Sequence, residues 1–156
     1  MNAEAKEIFD KLISFELLIA KIYMRFSQMF PEDADFWWKL VIEEKGHAAI
    51  LRSGYESFAP MNLFPAELTA ISFTELQAAL EGKEAFIKAI DENPASFDRR
   101  KALLAAIKIE EQDIEKIFEE LMEYAPATRA IALFQQLNEG SRGHARRMIE
   151  HLKNIS

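Results

Sequence analysis

The chain contains no cysteine. That excludes disulfide frameworks, Cys-ligated zinc, rubredoxin-type iron, iron–sulfur clusters and thiol nucleophiles, and leaves His, Asp and Glu as the metal ligands on offer. Glycine and proline are scarce, five of each in 156 residues. Long stretches of Ala, Leu, Ile, Glu, Lys and Phe in periods of three and four therefore read as helices, and none shows a strand's alternation. The longest unbroken apolar run, Ala102 to Ile107, is six residues, far below the ~20 of a membrane-spanning helix. Glu4, Lys6, Glu7 and Asp10 stand where a signal peptide would be apolar, so a soluble, cytoplasmic protein without a membrane partner is expected. Nineteen Lys and Arg against 26 Asp and Glu give a net charge of -7 and no patch basic enough to hold a phosphate backbone, which argues against nucleic acid. The length suits one domain over residues 1–156.

The few breakers divide the chain. Pro31, in Phe30-Pro31-Glu32-Asp33, ends one helix near Phe30 and leaves Asp33 as a candidate N-cap for a second that runs to about Phe58, a tight helical hairpin. Ala59-Pro60, Asn62 and Pro65 break that helix. Ser72, with Glu75 three residues on, opens a shorter connecting helix to Asp91. Asn93-Pro94 closes it, and Ser96 or Asp98 starts a long helix to about Tyr124. Ala125-Pro126-Ala127 then turns into a last helix reaching about Asn154. The reading is all-α: four long helices in two hairpins, joined by a long crossover that contains a short helix.

An internal repeat supports the two hairpins. At an offset of 95 residues Leu12 pairs with Ile107, Ile19 with Ile114 and Tyr23 with Phe118; at 97, Gly46-His47-Ala48 pairs with Gly143-His144-Ala145.

Steps of three and four along each helix give the row that faces the bundle core. In the first helix it is Phe9, Leu12, Glu16, Ile19, Tyr23, Phe26 and Phe30; in the third it is Leu104, Ile107, Glu111, Ile114 and Phe118. Each row carries one carboxylate, and the periodicity selects Glu111 over Glu110. The second reads Trp37, Leu40, Glu44, His47 and Leu51, and the fourth Phe134, Leu137, Ser141, His144 and Met148. Trp37, Trp38 and the phenylalanines read as core, His151 as a favourable partner of a helix C-terminus. Arg142, Arg146 and Arg147 pair most simply with Glu139 and Glu150.

Counted from the turns at ~1.5 Å per residue, Glu16, His47, Glu111 and His144 fall at one level, roughly 22 to 27 Å away. With Glu44, three carboxylates and two imidazoles converge in an apolar interior. Such a cluster needs a cation, raised pKa values or water, and a metal is the simplest compensation. Oxygen ligands with imidazole suit Fe, Mn or Zn. Gly46 and Gly143, each before a histidine, are expected where backbones approach closely.

These residues resemble the ferritin-like di-iron carboxylate proteins, within them the rubrerythrin-like branch, over nearly the whole chain outside residues 59–95. The family pattern is one Glu on each of two helices and Glu-x-x-His on each of the other two, all pointing inward in a four-helix bundle. The resemblance implies Glu16 and Glu111 as terminal carboxylates, Glu44 as a bridging one, His47 and His144 as imidazole ligands, and Tyr23 as a tyrosine beside the site. It further implies iron, reduction of peroxide or oxygen, and a homodimer. Rubrerythrins commonly carry a rubredoxin-like domain that this chain lacks, so turnover would need an external electron donor protein. The chain departs from the pattern at Ser141, where the family has Glu. Three carboxylates leave two divalent ions with one surplus positive charge, so the expectation is two ions, or one with a weak second site. The alternatives are a non-catalytic iron-binding or iron-sensing protein, and a metal-free helical interaction protein.

Overall fold

A computed structural model describes residues 3–61, 71–112 and 143–155 and the isolated positions 132 and 135. All regular structure among them is helical. Five α-helices have bounds among the described residues: α1 (Ala3–Met29), α2 (Ala34–Phe58), α3 (Phe73–Glu92), α4 (Arg99–Glu110) and α5 (His144–Asn154). Short 3-10 turns stand at Pro31–Asp33, Ala59–Met61 and Pro94–Ser96. No described helix is long and apolar enough to cross a membrane.

The breakers act where the sequence puts them. Pro31 opens the 3-10 turn between α1 and α2, where its missing N–H costs nothing. Ser72 caps α3 by accepting from the Glu75 amide at 3.4 Å, and Asp98 caps α4 by accepting from the Lys101 amide at 2.8 Å. α1 and α2 fold back on each other as a hairpin. Tyr23 and Phe26 pack on Trp37 near the turn (ring centroids 5.6 and 5.0 Å), and Phe9 packs on Tyr55 (5.1 Å) far from it. α3 runs alongside α1 in the same direction, with Lys11 bonded to Gln77 (2.6 Å) and Arg25 to Asp91 (2.7 Å). α5 runs against α2, with His151 stacked on Phe36 (4.0 Å) at one end and His144 beside Glu44 at the other.

Five expectations need correction. Asp33 occupies the N-cap of α2, but its side chain makes no capping bond. Its carboxylate instead takes Arg99 in a two-pronged bond (2.6 and 2.7 Å) and His151 (2.8 Å), tying the hairpin turn to α4 and α5. His151 is thus a partner of Asp33 rather than of its own helix end. Trp37 is buried, whereas Trp38 is 48% exposed, because neighbouring residues on a helix point about 100° apart. α4 ends at Glu110, with Glu111 as its C-cap; the stretch on to Tyr124 and the turn at Pro126 lie outside the described residues, apart from Gln112. Arg147 pairs with Glu43 of α2; Glu139 and Arg142 lie outside the described residues.

Candidate metal centre

The hairpin supplies half of the site from two helices that Pro31 forces together. Glu16 lies in the middle of α1, between the buried Leu12 and Ile19. Glu44 and His47 stand three residues apart on α2, so their side chains share one face. Nδ1 of His47 lies 3.2 Å from Oε2 of Glu44 and 3.4 Å from Oε2 of Glu16. The other half comes from α4 and α5. Nδ1 of His144 lies 2.7 Å from Oε1 of Glu44 and 3.4 Å from Oε1 of Glu110.

Glu44 therefore belongs to two groups, Glu16–Glu44–His47 and Glu44–Glu110–His144, in each of which the candidate ligand atoms lie within 4.8 Å of one another. One oxygen of Glu44 faces each imidazole, and the two rings stand nearly parallel, 5.6 Å apart. All five side chains are buried. Oε2 of Glu16 and Oε1 of Glu44 are buried without an aligned hydrogen bond, which leaves carboxylate oxygens available to a cation; Nε2 of His144, turned toward Glu43, is likewise without one. The residues fit a metal by ligand type, number and spacing.

The structure brings Glu16, Glu44, His47 and His144 together as the sequence predicts, but not Glu111. Glu111 is exposed at the end of α4, and the buried carboxylate is Glu110. The buried row of α4 is Ala102, Leu103, Ala106, Ile109 and Glu110, one residue out of phase with the row through Leu104, which is 47% exposed. Tyr23 is fully buried and donates its hydroxyl to Oε1 of Glu110. Ser141 lies outside the described residues.

The glycines also differ from expectation. Gly143 has φ 72° and is the N-cap of α5, so it is the left-handed residue through which the chain enters that helix. A methyl group on Gly46 would meet nothing within 4 Å, so no close backbone approach accounts for it.

Sequence reasoning missed Glu43 as well as Glu110. Oε2 of Glu43 lies 2.9 Å from Nε2 of His144, and Arg147 clasps the same carboxylate. The available signal was its spacing of four from His47, which puts it on the adjoining strip of α2.

Burial and charge set the protonation states. Burial, reinforced by Glu44, raises Glu16 to about 8. Burial acts the same way on Glu44, but the two imidazoles facing it outweigh that and hold it well below 4.5. Burial would lower both imidazoles, yet Glu44 and its fellow carboxylates lift His47 to about 10 and His144 well above 6.5. Glu43, despite burial, is held at about 2 by His144 and Arg147.

Comparison with protein-family models, with curated proteins and with solved structures gives no match. Fold and site together define an all-helical protein with buried Glu and His groups that could bind a metal ion. No narrower class follows from the comparisons.

Proposed function

We propose that the chain is a ferritin-like four-helix-bundle protein of the rubrerythrin type, binding iron between its helices and reducing peroxide or oxygen with electrons from an external donor protein. The observation that carries the reading is Glu44, a buried carboxylate shared by two groups that each add one imidazole and one further carboxylate. The four-helix bundle and a cytoplasmic setting rest on the sequence pattern, a homodimer on the resemblance, and all three belong to the same proposal.

What bound iron would supply is the ferrous–ferric redox change that no side chain here provides. Glu44 offers one oxygen to each side, and Glu16 and Glu110 close the two ends. His47 and His144 present Nδ1 inward. Tyr23 fixes Glu110 by its hydroxyl, and the burial of all five Glu and His side chains in an apolar core keeps bulk water from them. Reducing one peroxide to water consumes two electrons and two protons, and the electrons must arrive from outside because the chain has no cysteine to hold a rubredoxin-type centre. Glu43 adds no net charge to the site, since Arg147 balances it. Three carboxylates thus still face up to two divalent ions, and the second ion needs an added anion.

A second reading, a metal-free polar network that fixes helix register, is favoured by the way the imidazoles and Glu44 already compensate each other. The test is metal analysis after reconstitution with ferrous ion, followed by near-ultraviolet absorbance on exposure to oxygen and then peroxide. Iron uptake with absorbance that cycles during peroxide consumption supports the enzyme. Uptake without consumption supports a storage or sensing protein, and no uptake supports the network.

A further inference from the structure

His144 is held from both sides of its ring. Nδ1 faces Glu44 and Glu110, while Nε2 lies 2.9 Å from Oε2 of Glu43, a residue outside both ligand groups. Glu43 is in turn clasped by Arg147, whose Nη1 donates to Oε1 at 3.1 Å and whose Nη2 donates to Oε2. His144 and Arg147 share α5, one turn apart, and His144 is the first residue of that helix, straight after the left-handed Gly143. Standing at the first position of its helix, the ring takes its orientation from the partners around it. An imidazole offers a cation one lone pair, and a carboxylate at the other nitrogen decides which nitrogen keeps the proton.

We propose that Glu43, held in place by Arg147, is the positioning residue of His144: it accepts a hydrogen bond from Nε2–H and leaves the Nδ1 lone pair to a divalent cation in the Glu44–Glu110–His144 group. The inference rests on the metal-binding reading above. Arg147 has two effects here. It aims the carboxylate of Glu43, and it engages both oxygens so that Glu43 does not become a competing ligand. The 2.9 Å contact is out of line for a hydrogen bond, so a rotation of the ring would be needed to align it once an ion is bound.

The test uses the full chain labelled with ¹⁵N-histidine and zinc ion as the probe, reading affinity by calorimetry and the bound nitrogen of His144 by ¹⁵N NMR. In the wild type, His144 should show zinc on Nδ1 and a proton on Nε2. Glu43→Leu should weaken zinc in the His144 group by about 10- to 100-fold while the Glu16–Glu44–His47 group stays within about threefold. Glu43→Gln, which keeps an acceptor, should recover most of the loss. Glu43→Leu combined with Arg147→Leu removes the stranded guanidinium, and the same loss there supports the proposal. Unchanged affinity with His144 still bound through Nδ1 in Glu43→Leu overturns it. So does an equal loss at both groups, or recovery of affinity in the double variant. A wild type that takes up no zinc overturns the metal-binding reading itself, and this inference with it.

Discussion

The hydroxyl of Tyr23 donates to Oε1 of Glu110, joining the C-terminal part of α1 to the last residue of α4, with both side chains buried. A buried carboxylate deprived of its donor keeps its desolvation cost and loses the bond. Tyr23→Phe, which preserves the ring packed on Trp37, should therefore lower stability by about 1.5 to 3 kcal/mol, the range for a hydrogen bond to a charged group. Urea denaturation of the metal-free protein measures this. A change within experimental error would mean that the bond contributes nothing.

Glu110 and Glu111 make a matched pair of controls. Glu110→Gln should weaken metal binding at the His144 group, whereas Glu111→Gln, on the exposed side of α4, should leave it unaltered. Titration of both variants with zinc or ferrous ion decides between them, and a larger effect from Glu111→Gln would return the ligand to the row read from periodicity.

Asp33 governs the acid limb. Arg99 foremost, with His151, holds its carboxyl below 3.8 against the opposing effect of burial. A group whose folded pKa is depressed stabilises the fold above its unfolded value and loses that contribution as pH falls through the folded one. Stability of the wild type should decline as pH drops below 3.8. Asp33→Asn should be less stable at pH 6 and show a shallower decline. Thermal melts across pH 6 to 2.5 check this, and parallel profiles would remove Asp33 from the account.

Metal uptake should release protons. Glu16 at about 8 and His47 at about 10 are largely protonated at neutral pH, as is His144, and each must lose its proton to ligate. Affinity should therefore rise with pH between about 6 and 8. Calorimetry in buffers of different ionisation enthalpy counts the protons, and a count of zero would contradict ligation by these groups.

Much of this was legible in the sequence, because the informative residues do one thing only. Pro31 can only break a helix, and Ser72 and Asp98 are caps with helical patterns behind them, so the boundaries at those points hold. In α1 a single charged residue interrupts an apolar row, which leaves no ambiguity about Glu16. α4 is different. Its Ala-rich segment offers two apolar rows one residue apart, and the periodicity, with the repeat in agreement, chose the row through Leu104 and Glu111 that the fold exposes. Periodicity cannot separate two such rows; only the neighbours packed against them can. Asp33 and His151 were misread for a related reason. Each has a plausible local task at a helix end, and their actual partnership spans 118 residues of chain.

Glu44 sits in both groups, one oxygen to each. The two halves therefore cannot behave as separate compartments. A cation bound on one side would draw on the charge that Glu44 offers the other, so occupancy of either half would reset the appetite of its neighbour to the same degree.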